Sequence, residues 1–395
     1  MKIAADKNIL FAKEAFSTLG EVNLFDSDEI TNENIRDFDV LLVRSTIKVN
    51  KELIENTKIK FVGSAVAGTD HIDLDCLQEH KIGFSSAAGC NARSVVEYVL
   101  TAIYAFCEHT PSADNTAATP LHKGEFSPTK LCNSSQTIAN ESSPLCKGVA
   151  RVLSRDGVCP TVGIIGVGNI GGKVAEILQN LGIKTISNDP PKKLFTPLDE
   201  IAKNSDIITI HTPLDKTTEG LLGKDFFAKM KPDALLIQAS RGAVCDEEAL
   251  LNVKNKIIDV WANEPNINWD LAQKSIFSTP HIAGHSYDGK INGTKIIYEN
   301  CCAFFFEKPS FDFETEVFAK IEKQTLEFTE GSGSAGIAEI LLKCCPIDKD
   351  SEEFLREKNF KKQRSNYRKR LEFSHYIVKN APEEVAKELR ILGFT

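Results

Sequence analysis

The run Gly166-Val167-Gly168-Asn169-Ile170-Gly171 constrains this chain more than any other feature. Three glycines at that spacing make many kinds of turn. Here they close an apolar run at 161–166 and open a helical stretch at 169–181. Asp189 stands 21 positions after Gly168, at the end of the next apolar run. That context is the fingerprint of a dinucleotide-binding strand-helix-strand unit. Gly166 permits the tight turn, Gly168 lets backbone approach the pyrophosphate, and Gly171 lets helix pack on strand. Val167, Asn169 and Ile170 fill out the loop, and the helix start offers free N–H groups and a partial positive charge to phosphates. Asp189 accepts hydrogen bonds from ribose hydroxyls and repels a 2′-phosphate, so NAD is expected over NADP. Lys192 and Lys193 lie close enough to soften that preference.

The surrounding sequence repeats the same alternation. Strand-like runs at 184–188, 206–211, 234–239, 256–260 and 276–279 are mostly separated by helical stretches at 198–202, 224–229 and 247–253. Repeated strand and helix predict a parallel, doubly wound sheet over residues 159–285. Residues 1–107 predict a second α/β layer, with strands at 2–5, 40–43, 61–64 and 82–85 and helices at 10–18, 50–55 and 92–107. The last helix carries Val95, Val96, Val99, Ile103 and Phe106 on one face. A helix over 286–306 follows the cofactor unit. Residues 310–395 predict a smaller α/β unit, with helices at 351–356, 360–371 and 382–392 and a strand at 373–378. A chain of 395 residues suits two or three domains at a norm of ~150 residues each. Residues 108–158 differ in kind. They are rich in Thr, Ser, Ala, Asn and Pro with no apolar period, which predicts a disordered inserted loop.

Composition excludes some classes. A formal charge of -8 argues against general binding to nucleic acid or anionic membranes. No apolar run approaches the ~18 residues a spanning helix needs. Asp6 and Lys7 interrupt the first apolar residues before a signal-peptide core forms, so a cytoplasmic enzyme is expected. Eleven cysteines without a C-x-x-C spacing predict free, mostly buried thiols and no metal site.

Three chemically distinct residues follow strands in the second half of the cofactor sheet. Arg241 follows Ala239-Ser240, Glu264 follows Val260-Trp261-Ala262-Asn263, and His281 follows Thr279-Pro280. Residues just past the carboxyl ends of parallel strands line the ligand crevice. A guanidinium, a carboxylate and an imidazole are what oxidation of an alcohol beside a carboxylate requires. The imidazole takes the hydroxyl proton as hydride leaves carbon. The carboxylate fixes the ring's tautomer, and the guanidinium grips the substrate carboxylate in a fork. Singly, each has a dull reading: a surface charge, a helix-start carboxylate, a satisfied loop histidine. Their joint placement favours catalysis.

These pieces resemble the D-isomer-specific 2-hydroxyacid dehydrogenase family. The likeness rests on Gly166–Gly171, His211-Thr212-Pro213-Leu214, Ser240-Arg241-Gly242-Ala243-Val244, Asp259-Val260-Trp261 with Glu264-Pro265, and Thr279-Pro280-His281-Ile282-Ala283-Gly284. Val43-Arg44-Ser45-Thr46, Gly68-Thr69-Asp70-His71, Gly89-Cys90-Asn91-Ala92, Asp189-Pro190-Pro191 and residues 366–373 look like one subgroup. Its substrate is a phosphorylated four-carbon 2-hydroxy acid on the route to pyridoxal phosphate. The resemblance implies two Rossmann-like lobes, the substrate lobe discontinuous and completed by the helix after His281. It also implies a small C-terminal α/β domain that forms a homodimer. It assigns catalysis to Arg241, Glu264 and His281. Asp189, Thr212, Ala239, Ser240, Asp259 and Gly284 would face NAD, and Arg44, Ser45, Val66, Gly68 and His285 the substrate. The subgroup commonly has Thr where this chain has Val66, and Tyr where it has His285. Arg44 and basic residues of the C-terminal unit are candidates for the substrate phosphate. The basic run at 358–370 otherwise reads as a solvated or dimer-facing helix. Other readings are a dehydrogenase for 3-phosphoglycerate or glycerate, or a non-catalytic NAD-binding protein like the corepressors built on this scaffold.

Overall fold

A computed structural model describes residues 1–109, 159–329 and 333–395; the loop expected at 108–158 lies almost wholly outside them. The first sheet contains β1 (Lys2–Asp6), β2 (Glu21–Phe25), β3 (Val40–Val43), β4 (Phe61–Ser64) and β5 (Gly83–Ser86), all parallel in the order β2-β1-β3-β4-β5. β3 and β4 are buried on both faces, which is why Val40–Val43 reads as an unbroken apolar run and β4 opens on Phe61-Val62. β2 was not expected from the sequence. It is an edge strand, half exposed along its length, so it carries no such run.

The second sheet contains β6 (Thr161–Ile165), β7 (Lys184–Asp189), β8 (Leu194–Phe195), β9 (Ile207–Ile210), β10 (Leu235–Gln238), β11 (Asn255–Ile258) and β12 (Phe277–Ser278). Its order is β12-β11-β10-β9-β6-β7-β8, parallel except for the short β8. The order reverses at β6, which lies between β7 and β9, and this switch point is where such sheets open a ligand crevice.

The helix Ala92–His109 joins the parts. Val96, Val99, Leu100 and Ile103 on it are fully buried, in one apolar cluster with Val162, Ile164, Leu235 and Ile237 of the second sheet. Ile337, Leu341, Phe373 and Leu389 of the C-terminal segment belong to the same cluster. The C-terminal segment therefore shares its core with this helix instead of closing one of its own. It adds the parallel pair β13 (Gln324–Glu327) and β14 (Tyr376–Lys379) and the helices Gly333–Cys344, Ile347–Glu357 and Glu383–Leu392. The helix Tyr287–Phe304, opened by the Ser286 side chain accepting from the Gly289 N–H, returns the chain to the first sheet. Its Ile297, Tyr298 and Cys301 are buried among Ile3, Phe16 and Leu42.

The expected helix at 360–371 ends at Ser365. The next residues run without regular structure into the interior. Arg370, 3% exposed, donates to the Ala283 and Ser94 carbonyls at 2.7 and 3.2 Å. The expected strand at 373–378 begins as a turn and becomes β14 only at Tyr376. Among the described residues no helix is long and apolar enough to cross a membrane.

Candidate active site

Strand register sets the site. Gln238, Ile258 and Ser278 lie side by side at the carboxyl ends of β10, β11 and β12. The backbone ladder continues a step further, through Asp259 N–H to Gln238 O (2.9 Å), Thr279 N–H to Ile258 O (3.0 Å) and His281 N–H to Asp259 O (2.8 Å). Arg241, Glu264 and His281 leave these three adjacent ends. His281 has φ of 58°, a left-handed conformation that costs a side-chain-bearing residue ~1–2 kcal/mol. The surroundings must impose it.

Asp259 imposes it. Its carboxylate, 1% exposed, accepts from Thr279 Oγ1 (2.6 Å), Ile282 N–H (2.7 Å) and Ala283 N–H (2.9 Å). Three donors of the histidine loop surround its oxygens, so Asp259, a residue expected to face the dinucleotide, shapes that loop. Ser240 likewise bonds within the protein. Its hydroxyl turns back to Gln238 Oε1 at 2.9 Å, beside the nearly buried Ala239.

His281 Nδ1 lies 2.7 and 3.0 Å from the two Glu264 oxygens. An ionised carboxylate only accepts, so Nδ1 carries the proton and Nε2 is left as the accepting nitrogen. Trp261 N–H donates to Glu264 Oε1 at 3.0 Å and Trp261 Nε1 to Thr279 O at 3.0 Å, which ties acid and histidine loop together. Burial pushes the Glu264 carboxyl up. The His281 hydrogen bond and charge, the Trp261 N–H and the Arg364 charge outweigh burial, and the net direction is below the ordinary value.

Arg241 points across the cleft. Nη1 donates to Ser240 O at 2.9 Å, and Nε lies 3.8 Å from the Asp70 carboxylate of the first lobe. A Cβ on Gly68 would stand 2.9 Å from Arg241 Nη2, so glycine is what lets the guanidinium approach that wall. The Cβ atoms that Gly89 and Gly284 lack would meet Asn169 and Asn91, also across the lobe boundary, at 3.0 and 2.2 Å.

The glycine loop fits a dinucleotide. Gly166 has φ of 86°, and a Cβ on Gly171 would lie 2.0 Å from Gly166 O. A Cβ on Gly168 would meet nothing within 4 Å: the space beside it is open, as close approach of a pyrophosphate requires. Asp189 accepts from Val167 N–H at 2.8 Å, which places its carboxylate at the loop beside Ile170 and the helix start. Lys192 donates to Val167 O at 2.6 Å, so its ammonium braces the loop. Thr212, past the end of β9, has a buried hydroxyl without a partner in the same crevice. His211 beside it is held neutral by burial, which pushes it down to about 3.

At the other end of the cleft, Arg44 follows β3 with Nε 3.4 Å from the fully buried Asp6 carboxylate. Ser45 is exposed beside it, and Val66, past β4, is half-buried. The His285 ring sits edge-on to Tyr367, centroids 6.1 Å apart. Burial first, then the charges of Arg364, Lys290 and Arg370, hold His285 well below its ordinary range.

Two residues near the site were not singled out by sequence reasoning: Lys290 and Arg364. Arg364 Nη1 lies 3.9 Å from Glu264 Oε2. Lys358, Lys361, Lys362, Arg368 and Lys369 of the basic run are exposed, as its solvated reading expects, but Arg364 and Arg370 turn inward. Arg364 approaches the Glu264 carboxylate, Arg368 pairs with Asp350 at 2.5 Å and Arg370 is buried. Arg364 stands two positions before the Asn366-Tyr367 motif, and that proximity was the available signal.

Residues 147–283 match the model of the D-isomer specific 2-hydroxyacid dehydrogenase NAD binding domain. An erythronate-4-phosphate dehydrogenase of Wigglesworthia glossinidia brevipalpis is 34% identical over 100% of this chain and 98% of its own. One from Hahella chejuensis is 40% identical over 76% of this chain and 71% of its own. Among solved structures, an NAD-bound 3-phosphoglycerate dehydrogenase of Entamoeba histolytica has a TM-score of 0.56 at 23% identity, covering 79% of this chain and 98% of its own. A D-lactate dehydrogenase of Aquifex aeolicus, with NAD and lactic acid, has 0.55 at 21%, covering 78% and 96%. At these identities the structural likeness is one of fold.

Proposed function

The chain belongs to the erythronate-4-phosphate dehydrogenases, within the D-isomer specific 2-hydroxyacid dehydrogenase family, and on that premise we propose that it oxidises 4-phospho-D-erythronate to (R)-3-hydroxy-2-oxo-4-phosphobutanoate in pyridoxal 5′-phosphate biosynthesis. NAD, when bound, supplies the hydride acceptor. The loop Gly166–Gly171 and Thr212 would hold it, with Asp189 toward the ribose and repelling a 2′-phosphate. Lys192 donates one N–H to Val167 O but keeps its charge beside Asp189, so it softens that repulsion without cancelling it.

His281 is the general base. As the carbon–hydrogen bond at the alcohol carbon breaks, the hydroxyl proton passes to Nε2 and a carbonyl forms. Glu264 keeps Nδ1 protonated and stabilises the resulting imidazolium. Arg241 binds the substrate carboxylate through a fork and polarises the new carbonyl. Arg44, Ser45, Val66, Gly68 and His285 form the substrate wall. The observation that carries this reading is the 2.7 Å His281–Glu264 pair on strand ends in register with that of Arg241.

Substrate-panel kinetics, followed by NADH absorbance, test it. The phosphorylated four-carbon acid should give the highest kcat/KM, with NAD preferred to NADP. Preference for 3-phosphoglycerate or glycerate, or NAD binding without turnover of any acid, would overturn it. We also propose a cytoplasmic homodimer formed through residues 310–395, supported by the two-stranded β13–β14 sheet with its largely exposed residues. Sedimentation of the full chain checks the assembly.

A further inference from the structure

We propose that Arg364 of the C-terminal segment, with Lys290 and Arg44, forms the subsite for the substrate's phosphate, so that specificity for a phosphorylated acid is supplied from outside the two lobes. The proposal rests on the reading of the site given above and names the cations it requires.

Arg364 is one-third exposed, and its 3.9 Å separation from Glu264 is too long for a hydrogen bond. Its donors remain available to a ligand. Tyr367, three residues on, lies against His285, which fixes the segment at this edge of the site. Lys290 lies in the first turn of the helix Tyr287–Phe304. That helix presses on the residues past β4, since a Cβ on Gly293 would stand 2.6 Å from Ala65 O. Arg44 is tethered through Nε alone, to a carboxylate that also serves Asn8 and Ser27. Among the described residues no hydrogen bond engages its terminal nitrogens, and the side chain is one-third exposed.

These cations act on one another. Burial and then the Arg44 charge push the Lys290 ammonium down, and no carboxylate offsets them. Arg364 and Lys290 in turn depress His285 between them. Like charges gathered on a cleft wall are unfavourable until an anion joins them. A phosphate dianion offers three acceptor oxygens to two guanidinium forks and an ammonium. Arg241, braced from the other lobe beside Gly68, is left for the carboxylate end of the same molecule.

The test uses the full-length chain with NADH bound. Inorganic phosphate is titrated calorimetrically into wild type, Arg364→Ala, Lys290→Ala and Arg364→Lys. The alanine variants should weaken phosphate binding by about 10- to 100-fold, the loss of one charge-assisted hydrogen bond or more. The lysine variant should recover part of it, with NADH affinity reporting an intact fold. Equal phosphate affinity in wild type and alanine variants, or none in wild type, overturns the proposal. In kinetics, the ratio of kcat/KM for phosphorylated over unphosphorylated erythronate should fall by a similar factor. Any effect of Arg364 through Glu264 weighs on both acids and cancels in that ratio, so an equal drop on both also overturns it. If wild type fails to oxidise the phosphorylated acid while the variants still lose phosphate binding, the substrate assignment falls and the anion subsite stands.

Discussion

Tyr98, in the middle of the helix Ala92–His109, hydrogen-bonds Thr279 at 2.7 Å, two residues before His281. The Thr279 proton already goes to Asp259, so Tyr98 is the donor. Tyr98 is fully buried, and the Trp261 indole N–H bonds the Thr279 carbonyl. The helix that joins the lobes thus bears directly on the loop that holds His281, the proposed general base.

Tyr98→Phe removes only that hydroxyl. Stability should fall by about 1–2 kcal/mol in urea unfolding, the usual consequence of losing a buried hydrogen bond. The kinetic effect should be a several-fold loss in kcat with NAD affinity nearly unchanged, because the glycine loop is elsewhere. An unchanged kcat would show that the contact is structural alone.

The His281–Glu264 pair separates two losses. His281→Ala should lower kcat by roughly 100-fold or more, as for removal of a general base. Glu264→Gln keeps the shape, but its amide can present N–H to Nδ1 and permit the wrong tautomer. A loss on the order of 10²- to 10⁴-fold is expected in kcat, with NAD binding preserved. The Glu264 carboxyl is held below its ordinary value, so its stabilisation is present above the unfolded pKa and lost as pH falls through the folded one. Wild-type stability should therefore drop on the acid side more steeply than that of Glu264→Gln, as pH-dependent denaturation would show.

Two glycines one turn apart should behave oppositely. Gly171→Ala drives a methyl to 2.0 Å from Gly166 O, and a sharp loss of soluble, folded protein is expected. Gly168→Ala meets nothing in the unliganded protein, so stability should stay within about 0.5 kcal/mol of wild type. NAD binding should nonetheless weaken on the order of tenfold, about 1.4 kcal/mol. Fluorescence titration with NADH and a thermal melt distinguish the pair.

The glycine fingerprint was legible because everything it needs is local: a turn, an open approach, an acid after the next strand. The convergence of Arg241, Glu264 and His281 was legible because parallel strand ends lie side by side, and residues placed just beyond them are brought together. The loop-shaping role of Asp259 was not legible, because a carboxylate gathering loop N–H groups and one facing a cofactor look alike in sequence. Arg364 and Arg370 escaped because charge spacing on a short helix does not say which side is covered, and the covering elements are distant in sequence. The shared core of the C-terminal segment was hidden for the same reason.

A buried carboxyl group of the C-terminal helix in that shared core makes stability depend on pH. Glu388, on the helix Glu383–Leu392 and 2% exposed, accepts from the Tyr104 hydroxyl on the helix Ala92–His109. Burial raises its pKa to about 7, with the Tyr104 bond opposing. The folded value lies above the unfolded one near 4.5, so between the two the folded chain holds a proton that the unfolded chain has lost. Stability is fully present below the unfolded value and is lost as pH rises through the folded one, by on the order of 3 kcal/mol. Glu388→Gln stays neutral and can still accept from Tyr104. Urea denaturation at about pH 5 and about pH 8.5 should show a larger fall for wild type than for the variant. Parallel falls in both would show that water reaches this carboxylate and that the junction between the C-terminal helix and the joining helix is looser than its packing indicates.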